Sequence, residues 1–276
     1  MTDSPDLTLQ VAEIIHYSAD IPAAIEYYHG QLGWPIVIQM GDNLVVLDAG
    51  GAYQLTVVTA AWTPDWEPGK PVPGPQLSLE STDLAADCAL LEQRGLAGLE
   101  IGGDPVNMPA LDIPGPENLA LFTWQDLQAK PGPSAIEKHR AQQKPEDVLY
   151  TLGECLLFVE DLPAAESFFI DKLGFSVKER HEDLFTALRR GEGPVVGVYH
   201  RPRWWEAPDE LPVMPVRLFL ECPDLKAEHA RQVAAGANPG AIKEKGAGLS
   251  WFSSTDPDGN TITFWQFKPT TSDSTM

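Results

Sequence analysis

Basic residues are scarce: 19 lysines and arginines face 40 aspartates and glutamates, a formal net charge of −21 over 276 residues. Such a surface repels phosphate backbones and anionic lipid headgroups, and no basic stretch offsets it, so nucleic acid and membrane surfaces are excluded as partners. The acidity reads as a solvated surface, with attraction of a cationic ligand as the alternative. Cysteine is nearly absent too. Cys88, Cys155 and Cys222 lie far apart without a Cys-x-x-Cys spacing, which fits buried thiols in a reducing compartment rather than a disulfide framework or a zinc site. No apolar run is long enough to span a bilayer, and Met1 to Leu9 lacks the basic start and apolar centre of a secretory signal. The expected compartment is the cytoplasm. There is no glycine-rich phosphate loop, Gly-x-Ser-x-Gly elbow or ordered Ser-His-Asp set, so nucleophile chemistry has no support.

What is present is a repeat. Asp20-Ile21-Pro22-Ala23-Ala24 returns as Asp161-Leu162-Pro163-Ala164-Ala165, an offset of 141 residues that also aligns Tyr27-Tyr28 with Phe168-Phe169, Leu32-Gly33-Trp34 with Leu173-Gly174-Phe175, and Gly95 with Gly236. Each copy is itself double, because Asp20 and Asp161 have counterparts at Asp83 and Asp224, 63 residues on. Four similar units result. In the first, Leu9 to Ala19 reads as a strand and Asp20 caps a helix running through Gly30, with Pro22 tolerated in its first turn. Pro35 to Gln39, Asn43 to Leu47 and Tyr53 to Thr59 are short β-rich runs between glycine turns, so the order is β-α-β-β-β. The second unit runs from Gln76 through a helix at Leu84 to Arg94 to a strand at Leu119 to Trp124; the third and fourth start at Glu154 and Arg217. Residues 1–126 and 150–268 are the expected modules, 127–149 a proline-rich linker and 269–276 a tail.

Four such units, together with Asp256-Pro257-Asp258-Gly259-Asn260 before the strand Thr261 to Phe267, resemble the vicinal oxygen chelate superfamily, the glyoxalase, bleomycin-resistance and extradiol-dioxygenase group. The first module carries a worn copy of that turn, Ile113 to Asn118. The resemblance implies an α+β fold of two modules with curved, cupped mixed sheets. It also implies metal ligands on the first strand of each unit and on a final strand. In the first module these positions are Glu13, Gln76 and, counted from Asn118, Leu121; in the second they are Glu154, Arg217 and Thr263. Glu13 and Gln76 are the candidate ligands for Mg2+, Mn2+ or Fe2+, although the full metal triad is not expected. An arginine suits a carboxylate better than a cation site, so Glu154 and Arg217 are expected to pair across the second cavity.

Desolvation in an apolar cup would raise the proton affinity of Glu13 and make it the candidate general base. Strand alternation places His16 on the opposite, helix-packing face from Glu13. Trp62 and Trp66 in one loop, Trp204 and Trp205 in its counterpart, can close over a flat ligand or seal one module against the other, and Trp251 and Trp265 add to an aromatic lining. The expected function is binding of a small, aromatic-compatible organic molecule in a cupped cavity, with a homodimer as a compatible assembly. The alternative is a divalent-metal lyase, isomerase or ring-cleaving dioxygenase with its site in the first module. A third reading is an interaction scaffold with vestigial pockets.

Overall fold

The computed structural model describes residues 12–49, 53–59, 76–81, 84–103, 109–115, 120–125, 150–191, 195–201, 216–245 and 248–268. Unit one is β1 (Ala12–Tyr17), α1 (Ile21–Ile25), β2 (Ile36–Met40), β3 (Leu44–Asp48) and β4 (Tyr53–Val58). Unit two is β5 (Gln76–Ser81), α2 (Leu84–Gln93), β6 (Gly102–Gly103), β7 (Pro109–Pro114) and β8 (Ala120–Gln125). Unit three is β9 (Tyr150–Val159), α3 (Leu162–Ser167), β10 (Ser176–His181), β11 (Phe185–Arg189) and β12 (Val195–His200). Unit four is β13 (Val216–Glu221), α4 (Leu225–Ala234), β14 (Lys243–Lys245), β15 (Leu249–Thr255) and β16 (Thr261–Phe267). The expected β-α-β-β-β order holds in all four. The expected linker lies outside the described residues, and among the described residues no helix is long and apolar enough to cross a membrane.

Local chemistry explains the helix starts. The Asp20, Asp161 and Asp224 carboxylates each accept a hydrogen bond at 3.0 Å from the amide three residues on, at Ala23, Ala164 and Ala227. These bonds satisfy amides that have no partner within the helix. Asp161→Ala should therefore lower stability by about 1 kcal/mol, read as a shift in the urea midpoint without a change in slope. Gly95 and Gly236, with φ of +97° and +74°, end α2 and α4 in the left-handed region that a side chain would strain. One departure from expectation is that α1 and α3 widen into π-helical turns over Glu26–Gln31 and Phe168–Lys172. The wider turn lets two consecutive aromatics be buried together, Tyr27 with Tyr28 and Phe168 with Phe169.

The sixteen described strands form two eight-stranded mixed sheets, and the pairing crosses the halves of the chain. Sheet one joins units one and four in the order β14-β15-β16-β13-β1-β4-β3-β2; sheet two joins units three and two in the order β10-β11-β12-β9-β5-β8-β7-β6. The seams are the antiparallel pairs β1 with β13 and β5 with β9. One face of each sheet packs on helices: Ile14, Leu55, Leu218 and Ile262 of sheet one share a single buried cluster with Leu77, Cys155, Leu188 and Val198 of sheet two and with helical residues such as Tyr28, Leu91 and Phe169. Strand alternation turns the intervening residues to the other face, which is helix-free among the described residues. There Ile15, Tyr17 and Val58 cluster on sheet one, and Leu156, Phe158, Phe185, Ala187, Val195 and Tyr199 cluster on sheet two.

Polar bonds also tie the two sheets together. Arg190, just after β11, donates at 2.8 and 2.7 Å to the two oxygens of Glu228 on α4. Arg231 and Gln232 donate to the same carboxylate, Arg231 also reaches the Leu173 carbonyl at 2.9 Å, and Ser254 of β15 donates to Gln232 at 2.5 Å. Glu228 is fully buried. Burial alone would raise its pKa, but the hydrogen bonds from Arg190 and Arg231 prevail and hold it at about 2. A second tie is the Asp256–Asn260 turn. Asp256 accepts from the Asp258 and Asn260 amides at 3.0 and 2.7 Å, while the Asn260 side chain donates to the Phe158 carbonyl at the end of β9. Burial pushes the Asp256 carboxyl up to about 6.

Candidate functional site

The crossed pairing regroups the residues singled out in the sequence. Glu13 on β1 and Gln76 on β5 belong to different sheets, and the same holds for Glu154 on β9 and Arg217 on β13. The strands of the expected Glu154–Arg217 pair thus lie in separate sheets, because the repeat specifies each unit but not which unit its first strand joins. Across the seam of sheet one, Glu13 stands opposite Phe219 and Ile15 opposite Arg217, which puts positions 13 and 217 on a diagonal. Sheet two repeats this: Gln76 faces Leu156 and Ser78 faces Glu154, so positions 76 and 154 form the equivalent diagonal. Diagonal neighbours lie roughly 7–8 Å apart, within reach of long side chains.

Leu121 is a second correction. It pairs with Leu77, is fully buried and belongs to the cluster beneath the helices, not to the helix-free face. Counting from Asn118 slips the register by one residue, whereas placing Pro116 on Pro257 restores the 141-residue offset and equates Leu121 with Ile262. Position 122, opposite Ser78, is then the counterpart of Thr263, opposite Phe219. Thr263 itself is buried, and its hydroxyl shares a 2.9 Å hydrogen bond with Ser253. His16 is buried on the helix side with Nδ1 3.0 Å from the Tyr28 hydroxyl. Trp251 and Trp265 face each other across β15 and β16. Trp62, Trp66, Trp204 and Trp205 lie outside the described residues.

The three positions that the resemblance implies for metal ligands hold different residues in the two sheets. Sheet one offers Glu13, Arg217 and Thr263 at the three positions; sheet two offers Glu154, Gln76 and Phe122. The first set contains a permanent cation and a hydroxyl already engaged, the second an aromatic hydrocarbon, so neither supplies three donors suited to a divalent ion. Among the described residues no group of three or more histidine, cysteine, aspartate or glutamate side chains converges. By residue type these donor sets do not fit a three-ligand divalent metal centre.

The helix-free faces differ in size and charge. On sheet two the row across β11, β12 and β9 is Ala187, Gly197, Leu156; on sheet one the corresponding row across β3, β4 and β1 is Val46, Thr56, Ile15. Ser78 of sheet two likewise replaces Phe219 of sheet one, 141 residues on. This small-residue floor is bordered by aromatics: Phe185 stacks on Tyr199 with centroids 5.0 Å apart and planes 13° from parallel, His181 stacks on Phe185 at 5.7 Å, and Phe158 lies 6.2 Å from Tyr199. The other border carries Arg189, paired with Val195. Two buried polar atoms here, Ser78 Oγ and Arg189 Nε, have no hydrogen-bond partner among the described residues. Sequence reasoning missed this group, although the alternation Phe185-x-Ala187-x-Arg189 was a signal that could have found it. A separate groove of about 580 Å3 is lined by Phe168, Ala237 and the Asp256-Pro257 turn, and includes none of the candidate ligand or metal residues read from the sequence.

Residues 151–264 match the model of the Glyoxalase/Bleomycin resistance protein/Dioxygenase superfamily. A point mutant of glyoxalase I from Zea mays is similar over 95% of this chain and 94% of its own, with a TM-score of 0.65 at 13% identity. The unmutated Zea mays enzyme covers 94% and 92% with a TM-score of 0.63 at 12% identity. A candidate dioxygenase from Bacillus subtilis subsp. subtilis str. 168 covers 95% and 87% with a TM-score of 0.63 at 13% identity. Among curated proteins none matches. At such identities the likeness of the whole chain is one of fold. The stretch 151–264 is therefore similar to the Glyoxalase/Bleomycin resistance protein/Dioxygenase superfamily, and the chain as a whole has a glyoxalase-like fold.

Proposed function

We propose that the protein binds a small organic molecule on the helix-free face of sheet two, above the Ala187–Gly197 floor, without a three-donor metal centre. The carrying observation is the size difference between equivalent rows: alanine and glycine in sheet two, valine and threonine in sheet one. Flanking aromatics supply flat apolar area against which a planar body can stack. Gln76 and Glu154 occupy the β5–β9 seam of the same sheet, and Glu13 stands diagonal to Arg217 across the seam of sheet one.

The test transplants the filled floor. The double variant Ala187→Val, Gly197→Thr carries the residues of sheet one in sheet two, and both additions favour strand geometry. Titration with the neutral fluorescent probe N-phenyl-1-naphthylamine should show binding to the unaltered protein and at least tenfold weaker binding to the double variant. Thr56→Val, at the equivalent place in sheet one, should leave the affinity unchanged. Equal affinity in all three proteins would remove the proposal.

A further inference from the structure

We infer that the ligand of sheet two is an anion, a planar carboxylate or a group of like shape and charge, with Arg189 as the residue that recognises it; this rests on the proposed site. Two neighbouring arginines differ in what they meet. Arg189 and Arg190 point to opposite faces of β11, as the two-residue period requires. Arg190 faces the helices and is saturated by the bidentate bonds to Glu228. Arg189 faces away from them, shares a face with Phe185 and Ala187, and its Nε is buried without a hydrogen-bond partner among the described residues. A guanidinium whose inner nitrogen is removed from water without compensation loses the hydration it had when unfolded, a cost that an incoming acceptor would reverse. The planar fork of donors matches a carboxylate in two parallel bonds.

The surroundings leave that charge available. Glu179 of β10 stands opposite Ala187 and is exposed, yet it forms no ion pair with Arg189. Among the described residues Asp112 on β7 is a further charged position of this face, and Glu80 and Glu154 occupy the β5–β9 seam. In sheet one the equivalent of Arg189 is Asp48, so the cation is particular to the sheet with the small floor. Geometry then sets the size of the ligand. From Arg189 to the Phe185–Tyr199 row is four residues along the strand, roughly 13 Å at the usual rise. A fused two-ring acid would lie over Ala187 and Gly197 with its carboxylate at Arg189 and its far ring toward Tyr199. The overall charge of −21 disfavours any such anion at long range, so direct bonds to Arg189 are what would hold it.

The experiment compares 2-naphthoate with its uncharged isostere 2-naphthamide by calorimetric titration of the full-length protein. The unaltered protein should prefer the carboxylate by at least tenfold. Arg189→Gln should abolish that preference while leaving naphthamide affinity within about twofold, and Arg189→Lys should retain part of it because charge survives but the fork does not. Equal binding of acid and amide by the unaltered protein would overturn the assignment of an anion and leave the site itself standing. Binding of both that is insensitive to the Ala187→Val, Gly197→Thr pair would overturn the site, and the inference with it. Failure of both probes to bind would also overturn the inference.

Discussion

Glu228→Ala is expected to cost about 3–5 kcal/mol of unfolding free energy, because it strips the bidentate partner from a guanidinium that is itself buried. Chemical denaturation monitored by circular dichroism reads this directly. Replacing both members with apolar residues, Arg190→Met with Glu228→Leu, should recover part of the loss, since the buried guanidinium leaves with its partner while Arg231 and Gln232 still lose an acceptor. If the single and double variants were equally destabilised, packing rather than charge would be the cause. The same group fixes an acid limb. Its folded pKa is held near 2 against an ordinary 4.5, so its ionised form is favoured by folding. That contribution is complete above about pH 4.5 and is lost as pH falls toward 2. The linkage amounts to roughly 3 kcal/mol at full extent. A Glu228→Gln variant should therefore show a flatter stability profile over that interval than the unaltered protein.

Leu121→Ala is expected to destabilise by about 2–5 kcal/mol, the usual range for truncating a fully buried leucine. A residue lining a ligand face would behave otherwise, with weaker ligand binding and near-normal stability. The midpoint of urea unfolding, set beside N-phenyl-1-naphthylamine affinity, separates the two. A stable variant that no longer bound the probe would return Leu121 to the binding face and contradict the register of β5 and β8.

These outcomes bear on how far the sequence could be read. The unit order, the aspartate caps at Asp20, Asp161 and Asp224, and the β16 strand from Thr261 to Phe267 were legible because each depends on neighbours within one turn or one strand. The π-helical turns were not, since Tyr27-Tyr28 and Phe168-Phe169 suit an ordinary amphipathic helix until both must be buried. Leu121 was misplaced by anchoring on Asn118 in a turn whose best match is Pro116, and a slip of one residue reverses the face of a whole strand. The largest gap was the partner of each first strand. Both β5 and β13 begin a similar unit and present the same kind of apolar pattern, so nothing local distinguishes which of them adds to β1. That choice rests on distant contacts such as Arg190 with Glu228 and Asn260 with the Phe158 carbonyl.

The interlaced seams also decide what a fragment of this polypeptide would be. A piece ending before β9 would hold four strands of each sheet and leave the β1 and β5 edges bare along their whole lengths. Rows of unmet amides and carbonyls of that kind act as templates for other chains. Such a fragment would not be half of a working protein but an adhesive one, satisfied only by the missing piece or by another copy of itself.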